Sequence, residues 1–136
     1  MVDMSKTVHI TSFSSRLISK PSIAVIEFGD TTYAILFAFT TLVKNIPPTI
    51  EAGFDTLKFK LSNSKSLLLS HPYKDTIYYK ADGNLYTQIF YFLDNRYINL
   101  LNHEDIVEIL FHYYRIPFRI KVRNKTKNLL NSLFNY

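Results

Sequence analysis

The segment from Leu85 to Arg123 constrains the fold of this chain most strongly, because it combines two strand patterns with a helix pattern. Leu85 to Leu93 is rich in the aromatic and β-branched side chains that pack well on a pleated surface. In Phe118 to Arg123, apolar and basic residues alternate, which predicts a strand with one buried and one basic face. Between them, Glu104 to Tyr114 predicts a helix with Asn102 as its N-cap. The segment therefore predicts a strand, a covering helix and a returning strand.

The first third of the chain predicts a buried helix preceded by strand patterns. Thr7 to Phe13 indicates a strand, and Ile23 to Phe28 is either a second short strand or an apolar lead into the helix. Thr32 to Lys44 is apolar nearly all round, which is typical of a helix at the centre of its domain. Pro47 and Pro48 would end this helix.

The rest of the chain predicts half-buried strands and a terminal helix. Thr56 to Leu61 alternates Leu or Phe with Lys, as a half-buried strand does. Ser62 to Pro72 predicts either a short helix or an extended cover, and Asp75 to Lys80 predicts a hairpin with Leu85 to Leu93 across a turn. Lys125 to Tyr136 predicts a terminal helix or a tail. Together these elements predict an α+β fold, with a mixed β-sheet flanked by helices in a single domain over residues 1–136.

The composition excludes several classes of protein and site. The chain has 136 residues, 47% of them hydrophobic, which is enough for one domain with a buried core. It has no Cys, which excludes a disulfide scaffold and thiolate ligands or nucleophiles. Its four histidines lack metal-ligand spacing, and neither a phosphate-binding glycine loop nor a nucleophile elbow is present, so we expect no metal and no cofactor. Because we find no signal-peptide core and no apolar run of membrane-spanning length, we expect a cytoplasmic protein without a membrane partner.

The positive charge is concentrated towards the C-terminus. Residues 1–108 contain 10 Lys and Arg against 11 Asp and Glu, whereas residues 109–136 contain 6 Lys and Arg and no acid. Arg119, Lys121 and Arg123 would form the basic face of the last strand. This asymmetry predicts either a polyanionic partner or a solvated basic face and tail.

Two groups of polar residues are candidates for binding an anion. Thr31 and Thr32 lie at the N-terminus of the predicted buried helix, whose free N–H groups and dipole would favour a phosphate. Ser12, Ser14 and Arg16 follow the first predicted strand and offer two hydroxyls and a guanidinium. The alternatives are helix capping for the first group and an ordinary polar turn for the second.

Five short motifs follow one another in an informative order. A strand leads into a Phe-Ser turn in Val8 to Ser14, and an apolar strand and a polar turn precede an apolar helix in Ile23 to Phe39. Leu85 to Ile89 carries a Leu-Tyr-x-Gln-Ile pattern, Glu104 to Ile106 opens a helix with an acidic pair and Ile, and Phe118 to Val122 is the last strand. This order resembles that of the viral ring nucleases, the type III anti-CRISPR proteins of archaeal viruses and phages, in which the Leu-Tyr strand has one more residue before Gln.

The resemblance implies a homodimer of α+β subunits that binds cyclic tetra-adenylate across its two-fold interface. In the family, a His just before the buried helix acts as general acid, but Phe28 to Asp30 contains no His. Ser14 matches the family, Thr11 stands where an Asn is usual, and Asp94 to Arg96 replaces the family's loop Arg and Glu. Without the imidazole, an acid–base contribution of about 10²–10⁴ in rate would be lost. The resemblance therefore implies binding with little or no catalysis.

From these observations we expect a viral antagonist of host defence that binds a cyclic oligoadenylate, a nucleic acid or a CRISPR effector in the host cytoplasm. Its ligand-binding residues would be Ser12, Ser14, Arg16, Thr31, Thr32, Asn95 and Arg96. Arg119, Lys121 and Arg123 would attract the polyanion at longer range.

Two other functions are consistent with the sequence. A small RNA-binding or protein-interaction module would use the basic strand with a set of exposed tyrosines, Tyr78, Tyr79, Tyr91, Tyr113 and Tyr114. The alternative for most of these tyrosines is burial in the core or in a dimer interface. An active ring nuclease would need a relocated imidazole, for which His9 is the candidate because it is close in sequence to Ser14.

Overall fold

Antiparallel strand pairing organises the structure. The computed structural model describes residues 7–10, 15, 17–28, 32–45, 56–69, 72–113 and 116–134. In chain order the elements are β1 (Val8–His9), β2 (Ser19–Phe28), β3 (Thr32–Leu42), a short 3-10 helix (Val43–Asn45), β4 (Leu57–Leu61), β5 (Ser66–Leu69), β6 (Pro72–Ala81), β7 (Asn84–Leu93), α1 (Asn95–His103), β8 (Ile106–Tyr113), β9 (Ile116–Lys121) and α2 (Asn124–Leu133). The strands form a five-stranded sheet of order β1-β2-β3-β7-β6 and a four-stranded sheet of order β5-β4-β8-β9.

The α+β class is confirmed, but the predicted mixed sheet is wrong. Every strand pair in the described part of the chain is antiparallel, and the strands divide between two sheets. Short connections between consecutive strands favour this arrangement, because parallel strands need a long crossover. One core cluster contains residues of both sheets and both helices, as expected for a single domain.

The central strand of the five-stranded sheet is β3. It pairs along its length with β2 and β7, so that Phe37 lies opposite Ile23 on one side and Ile89 on the other. Phe37 faces the core between the sheets, whereas Leu36 belongs to a second small buried cluster on the outer face. Because both faces are buried, the segment is continuously apolar, and such a run does not distinguish a buried strand from a buried helix. The helix predicted for Thr32 to Lys44 is therefore wrong.

The second predicted helix, Glu104 to Tyr114, is also wrong. Ile109 and Phe111 are buried on β8, which pairs with β4 on one edge and with β9 on the other. The helix lies one element earlier, at α1, which begins within the segment Asp94 to Arg96 that was predicted to be a loop. Asn102, predicted as an N-cap, lies inside α1. Backbone hydrogen bonds along both edges stabilise β8 as a strand in spite of the helix-like capping signal before it.

Other predicted elements are confirmed. The strand at Leu57–Leu61 forms with the predicted alternation of buried and accessible side chains, and Ser66–Leu69 is the extended cover. The hairpin of β6 and β7 turns at Asp82 and Gly83, both of which have positive φ (51° and 77°), as a tight type I′ turn requires. The terminal helix forms as α2, which packs against β1 and β8.

Aromatic rings connect the two sheets in the core. Phe37 of the five-stranded sheet meets Phe111 of the four-stranded sheet edge-on, with 4.9 Å between ring centroids. Phe39 lies 5.6 Å from Phe37, and Phe118 stacks on Phe111 at 5.3 Å. Edge-to-face and offset-stacked pairs at these distances contribute beyond the burial of their area. This cluster holds the sheets face to face, so their outer faces point in opposite directions.

The N-terminus of α1 is capped by Asp94. Its Oδ1 accepts a hydrogen bond from the Arg96 backbone N–H at 2.9 Å, and its Oδ2 lies 3.1 Å from Arg96 Nη2. The backbone hydrogen bond from Arg96, followed by the side-chain bond, lowers the pKa of Asp94 from its usual 3.8. Because the folded pKa is below the unfolded one, this cap stabilises the protein above about pH 4 and is lost as the pH falls through the lowered folded value.

We expect Asp94→Ala to lower the melting temperature at about pH 6, because the first-turn N–H loses its acceptor. The difference from the unmodified protein should shrink as the pH falls below about 4, where the carboxylate becomes protonated. Thermal unfolding at a series of pH values measures both effects. Asp94→Asn is the control, since Asn also caps helices and should keep most of the stability at pH 6. A difference for Asp94→Ala that stays the same down to pH 2 would contradict this role of the carboxylate.

Candidate nucleic-acid interface

The outer face of the four-stranded sheet carries four basic side chains from two strands. Lys58 and Lys60 lie on β4, and Arg119 and Lys121 lie on β9. Along each strand they alternate with residues that face the core, such as Ile120, which is fully buried. We call the surface formed by Lys58, Lys60, Arg119 and Lys121 the basic face. It combines residues that are about sixty positions apart in the sequence.

Strand register places these cations on both sides of β8. Glu108 lies opposite Lys60 on one neighbouring strand and opposite Lys121 on the other. One pair further along, Lys58 and Arg119 both lie opposite Leu110. Two strand spacings separate β4 from β9, or about 10 Å, and successive outward side chains on a strand are about 7 Å apart. The cations therefore lie at the corners of an approximate rectangle on the outer face of the sheet.

One carboxylate lies inside this rectangle. Glu108 Oε2 is 3.3 Å from Arg119 Nε, and the two side chains are 17% and 63% exposed. An ion pair with such an accessible partner contributes little to stability, and the contact does not have the geometry of a hydrogen bond, because Glu108 Oε2 has no hydrogen-bond partner. Lys58, Lys60 and Lys121 have no ion-pair partner among the described residues. Four cations against one anion leave this surface with a net charge of +3.

Further basic residues follow directly at the start of α2. Arg123 is the N-cap residue but makes no side-chain capping hydrogen bond, and the first turn contains no acid. Lys125 and Arg123 are exposed, and Lys127 is half-buried. Cations at the positive end of a helix are unfavourable, so this placement costs stability and raises the local positive potential. Arg123 was predicted on the strand with Arg119; it lies instead just beyond the end of β9.

The first predicted anion site loses its physical basis. Thr32 begins β3, so no helix N-terminus follows it, and Thr31 lies outside the described residues. The helix dipole predicted at Thr31 and Thr32 is therefore wrong, and phosphate binding by these residues stays a prediction without that basis. The second group, Ser12, Ser14 and Arg16, lies outside the described residues.

The structure brings the predicted loop residues Asn95 and Arg96 close to Thr32. Tyr33 pairs with Leu93, so the start of β3 adjoins the end of β7 and the N-terminus of α1. The chemistry there is not that of an anion site, because the Asp94 carboxylate already accepts the Arg96 N–H and pairs with its guanidinium. The Arg96 guanidinium also lies over the Tyr97 ring, 5.8 Å from its centroid.

The tyrosines that were predicted to be exposed differ in their burial and in the sheet to which they belong. Tyr91 is fully buried, so its prediction as an exposed stacking residue is wrong. Tyr79 is 52% exposed, but it lies on the five-stranded sheet, on the opposite side of the molecule from the basic face. The side chains of Tyr78, Tyr113 and Tyr114 lie outside the described residues.

Lys58 and Lys60 are the site residues that sequence reasoning missed. Their alternation with Leu57, Phe59 and Leu61 predicted an outward lysine face. No short-range signal indicated that this strand shares a sheet with Arg119 and Lys121. A pairing prediction for β4, β8 and β9 would have been needed.

Two classes of feature are absent from the described part of the chain. No three His, Asp or Glu side chains converge there to hold a metal ion. Neither helix has the length and hydrophobicity that crossing a membrane requires.

His9, the imidazole predicted for an active ring nuclease, is exposed on β1. Ser14, the residue that it was predicted to act with, lies outside the described residues.

Comparison with known proteins gives no family assignment. No protein-family model, curated protein or solved structure matches this chain. The similarity to viral ring nucleases accordingly stays a prediction from the sequence motifs.

Proposed function

We propose that this chain binds nucleic acid through the basic face, with contacts mainly to the phosphate backbone. The observation that supports the proposal is the rectangle of Lys58, Lys60, Arg119 and Lys121 around a single carboxylate. A polyanion that lies across β8 would contact cations on both sides. Such binding releases counterions and needs no base-specific contact.

Two further features support a polyanion over a protein partner. The cations of the basic face are mostly unpaired in the described structure, so their charge is available for a ligand. Arg123, Lys125 and Lys127 extend the positive surface at the start of α2, where a phosphate would relieve the unfavourable contact with the helix dipole. Leu68, 54% exposed on β5, adds apolar surface beside Lys58.

A titration of labelled single-stranded RNA, followed by fluorescence anisotropy at several salt concentrations, tests the proposal. A plot of log Kd against log salt concentration should be linear, with a slope of about 3 for four phosphate contacts and about 5 for seven. The measurement should start at about 50 mM salt, because non-specific affinities fall steeply above it. Failure to bind at about 10 μM protein in 50 mM salt would contradict the proposal.

The second candidate is binding of cyclic tetra-adenylate in antagonism of a host defence, as the sequence resemblance implies. One observation favours it, namely the pairing of Tyr33 with Leu93, which brings the start of β3 near the N-terminus of α1. The Asp94 carboxylate at the same place opposes it. Labelled cyclic tetra-adenylate, assayed for both binding and cleavage, together with sedimentation to detect a ligand-dependent homodimer, tests this candidate. A lack of binding at micromolar concentrations would remove it and leave the basic-face proposal intact.

A further inference from the structure

A groove of about 610 Å³ lies on the outer face of the five-stranded sheet. This volume is within the range of small-molecule sites. Two cross-strand rows form its floor. One row runs from Tyr79 through Tyr86 to Thr40, and the other contains Ser22 and Gln88. The groove is on the opposite side of the sandwich from the basic face.

One end of the groove is a platform for a planar ring. Tyr79 and Tyr86 stack with 4.7 Å between ring centroids and 15° between ring planes. Tyr79 is 52% exposed, so much of its ring surface is accessible to a ligand. A third flat ring would extend this stack and cover the accessible aromatic surface.

The other end of the groove carries positive charge. Lys20 lies in a bulge of β2, since two residues between Ser19 and Ser22, Lys20 and Pro21, oppose a single residue of β3, Phe39. Its φ of 53° is left-handed, and it precedes Pro21, where an extended backbone is favoured. Bulges re-aim side chains, and strained residues persist where the surrounding structure holds them. In this conformation Lys20 is an exposed lysine in the lining of the groove, which also contains His9.

The charge of the groove lining and the distance between its two ends indicate the chemistry and the length of a ligand. None of the described residues that line the groove is acidic, and Lys20 supplies a fixed positive charge. Tyr86 and Ser19 lie on strands two spacings apart, or about 10 Å. The hydroxyl of Thr40 and the amide of Gln88 lie between the two ends.

We infer that this groove binds a small molecule that consists of a planar ring and an anionic group, with the ring added as the third member of the stack that Tyr79 and Tyr86 form and the anion held by Lys20. A nucleoside monophosphate has this chemistry, with a sugar between the ring and the phosphate to face Thr40 and Gln88. This site is independent of the nucleic-acid interface and does not require it.

Titration with AMP, adenosine and inorganic phosphate, monitored by calorimetry and by NMR, tests the inference. AMP should bind at least tenfold more tightly than either fragment, because only AMP reaches both ends. Tyr79→Ala should weaken AMP about tenfold, whereas Tyr79→Phe, which keeps the ring, should change it less than twofold. Lys20→Gln should weaken AMP about tenfold and leave the weak binding of adenosine unchanged.

Two further variants test whether the loss of AMP affinity comes from the Lys20 side chain and whether the groove is separate from the basic face. Lys20→Gly should lose AMP affinity to the same extent while its melting temperature stays equal or rises, because glycine adopts a left-handed φ without strain. Lys60→Gln/Lys121→Gln, on the basic face, should bind AMP normally even where it loses RNA, so the two sites can fail separately. The inference is overturned if phosphate binds as tightly as AMP, if Tyr79→Ala binds AMP normally, or if millimolar AMP gives no signal.

Discussion

Phe37→Ala is expected to lower the free energy of unfolding by about 3 to 5 kcal/mol, the usual cost of removing a fully buried phenylalanine ring. Phe37 has no exposed surface, and its ring contacts Phe39 and, across the sheet interface, Phe111. The substitution removes one of the ring contacts between the two sheets, leaving that of Phe39 with Phe111, and creates a cavity in the core of the sandwich. Because a domain of this size is stable by only about 5–15 kcal/mol, the variant should be close to unfolding. Chemical denaturation measures the loss.

The control lies on the same strand. Leu42→Ala removes a side chain that is 43% exposed at the end of β3, so its cost should be below about 1 kcal/mol. If Phe37→Ala does not fold, the milder Phe37→Leu should still show a clear loss relative to Leu42→Ala. Equal, small losses for Phe37 and Leu42 variants would contradict a central β3 with Phe37 in the core.

Lys60→Gln/Lys121→Gln is expected to weaken binding of single-stranded RNA about 100-fold at low salt, about tenfold for each lost charge-assisted contact. Both lysines are exposed and lie opposite Glu108 from the two neighbouring strands. Glutamine keeps most of the side-chain length but removes the charge that replaces counterions on the phosphates. The slope of log Kd against log salt should therefore fall by about 1.4. Fluorescence anisotropy measures both the affinity and the slope.

A matched variant distinguishes RNA binding at the basic face from attraction of RNA by the net positive charge of the whole chain. Lys44→Gln/Lys80→Gln removes the same two charges from exposed lysines on the five-stranded sheet side. Its RNA affinity should stay within about twofold of the unmodified protein, because these lysines are not on the basic face. If both double variants lose affinity equally, only the net charge of the chain matters and the basic face is not the interface.

The two wrong helix predictions share one cause. In Thr32 to Lys44 the apolar residues occupy both faces of a central strand, so the two-residue period that identifies a strand disappears. In Glu104 to Tyr114 an acidic pair after Asn102 imitates a helix start, whereas the same residues form the connection between α1 and β8. Both segments are strands because they have strand neighbours on both edges, and those neighbours are distant in sequence.

The sequence by itself determined the features that depend on residues a few positions apart. These are the alternation in β4 and β9, the turn at Asp82 and Gly83, and the excess of positive charge towards the C-terminus. Only the tertiary structure decided that β4 and β9 flank the same strand, which joins Lys58 and Lys60 to Arg119 and Lys121. Only the tertiary structure placed Tyr79 and Lys20 at the two ends of one groove. Periodicity and turn chemistry are local properties of the chain, whereas strand pairing is a choice among distant segments that depends on how the whole core packs.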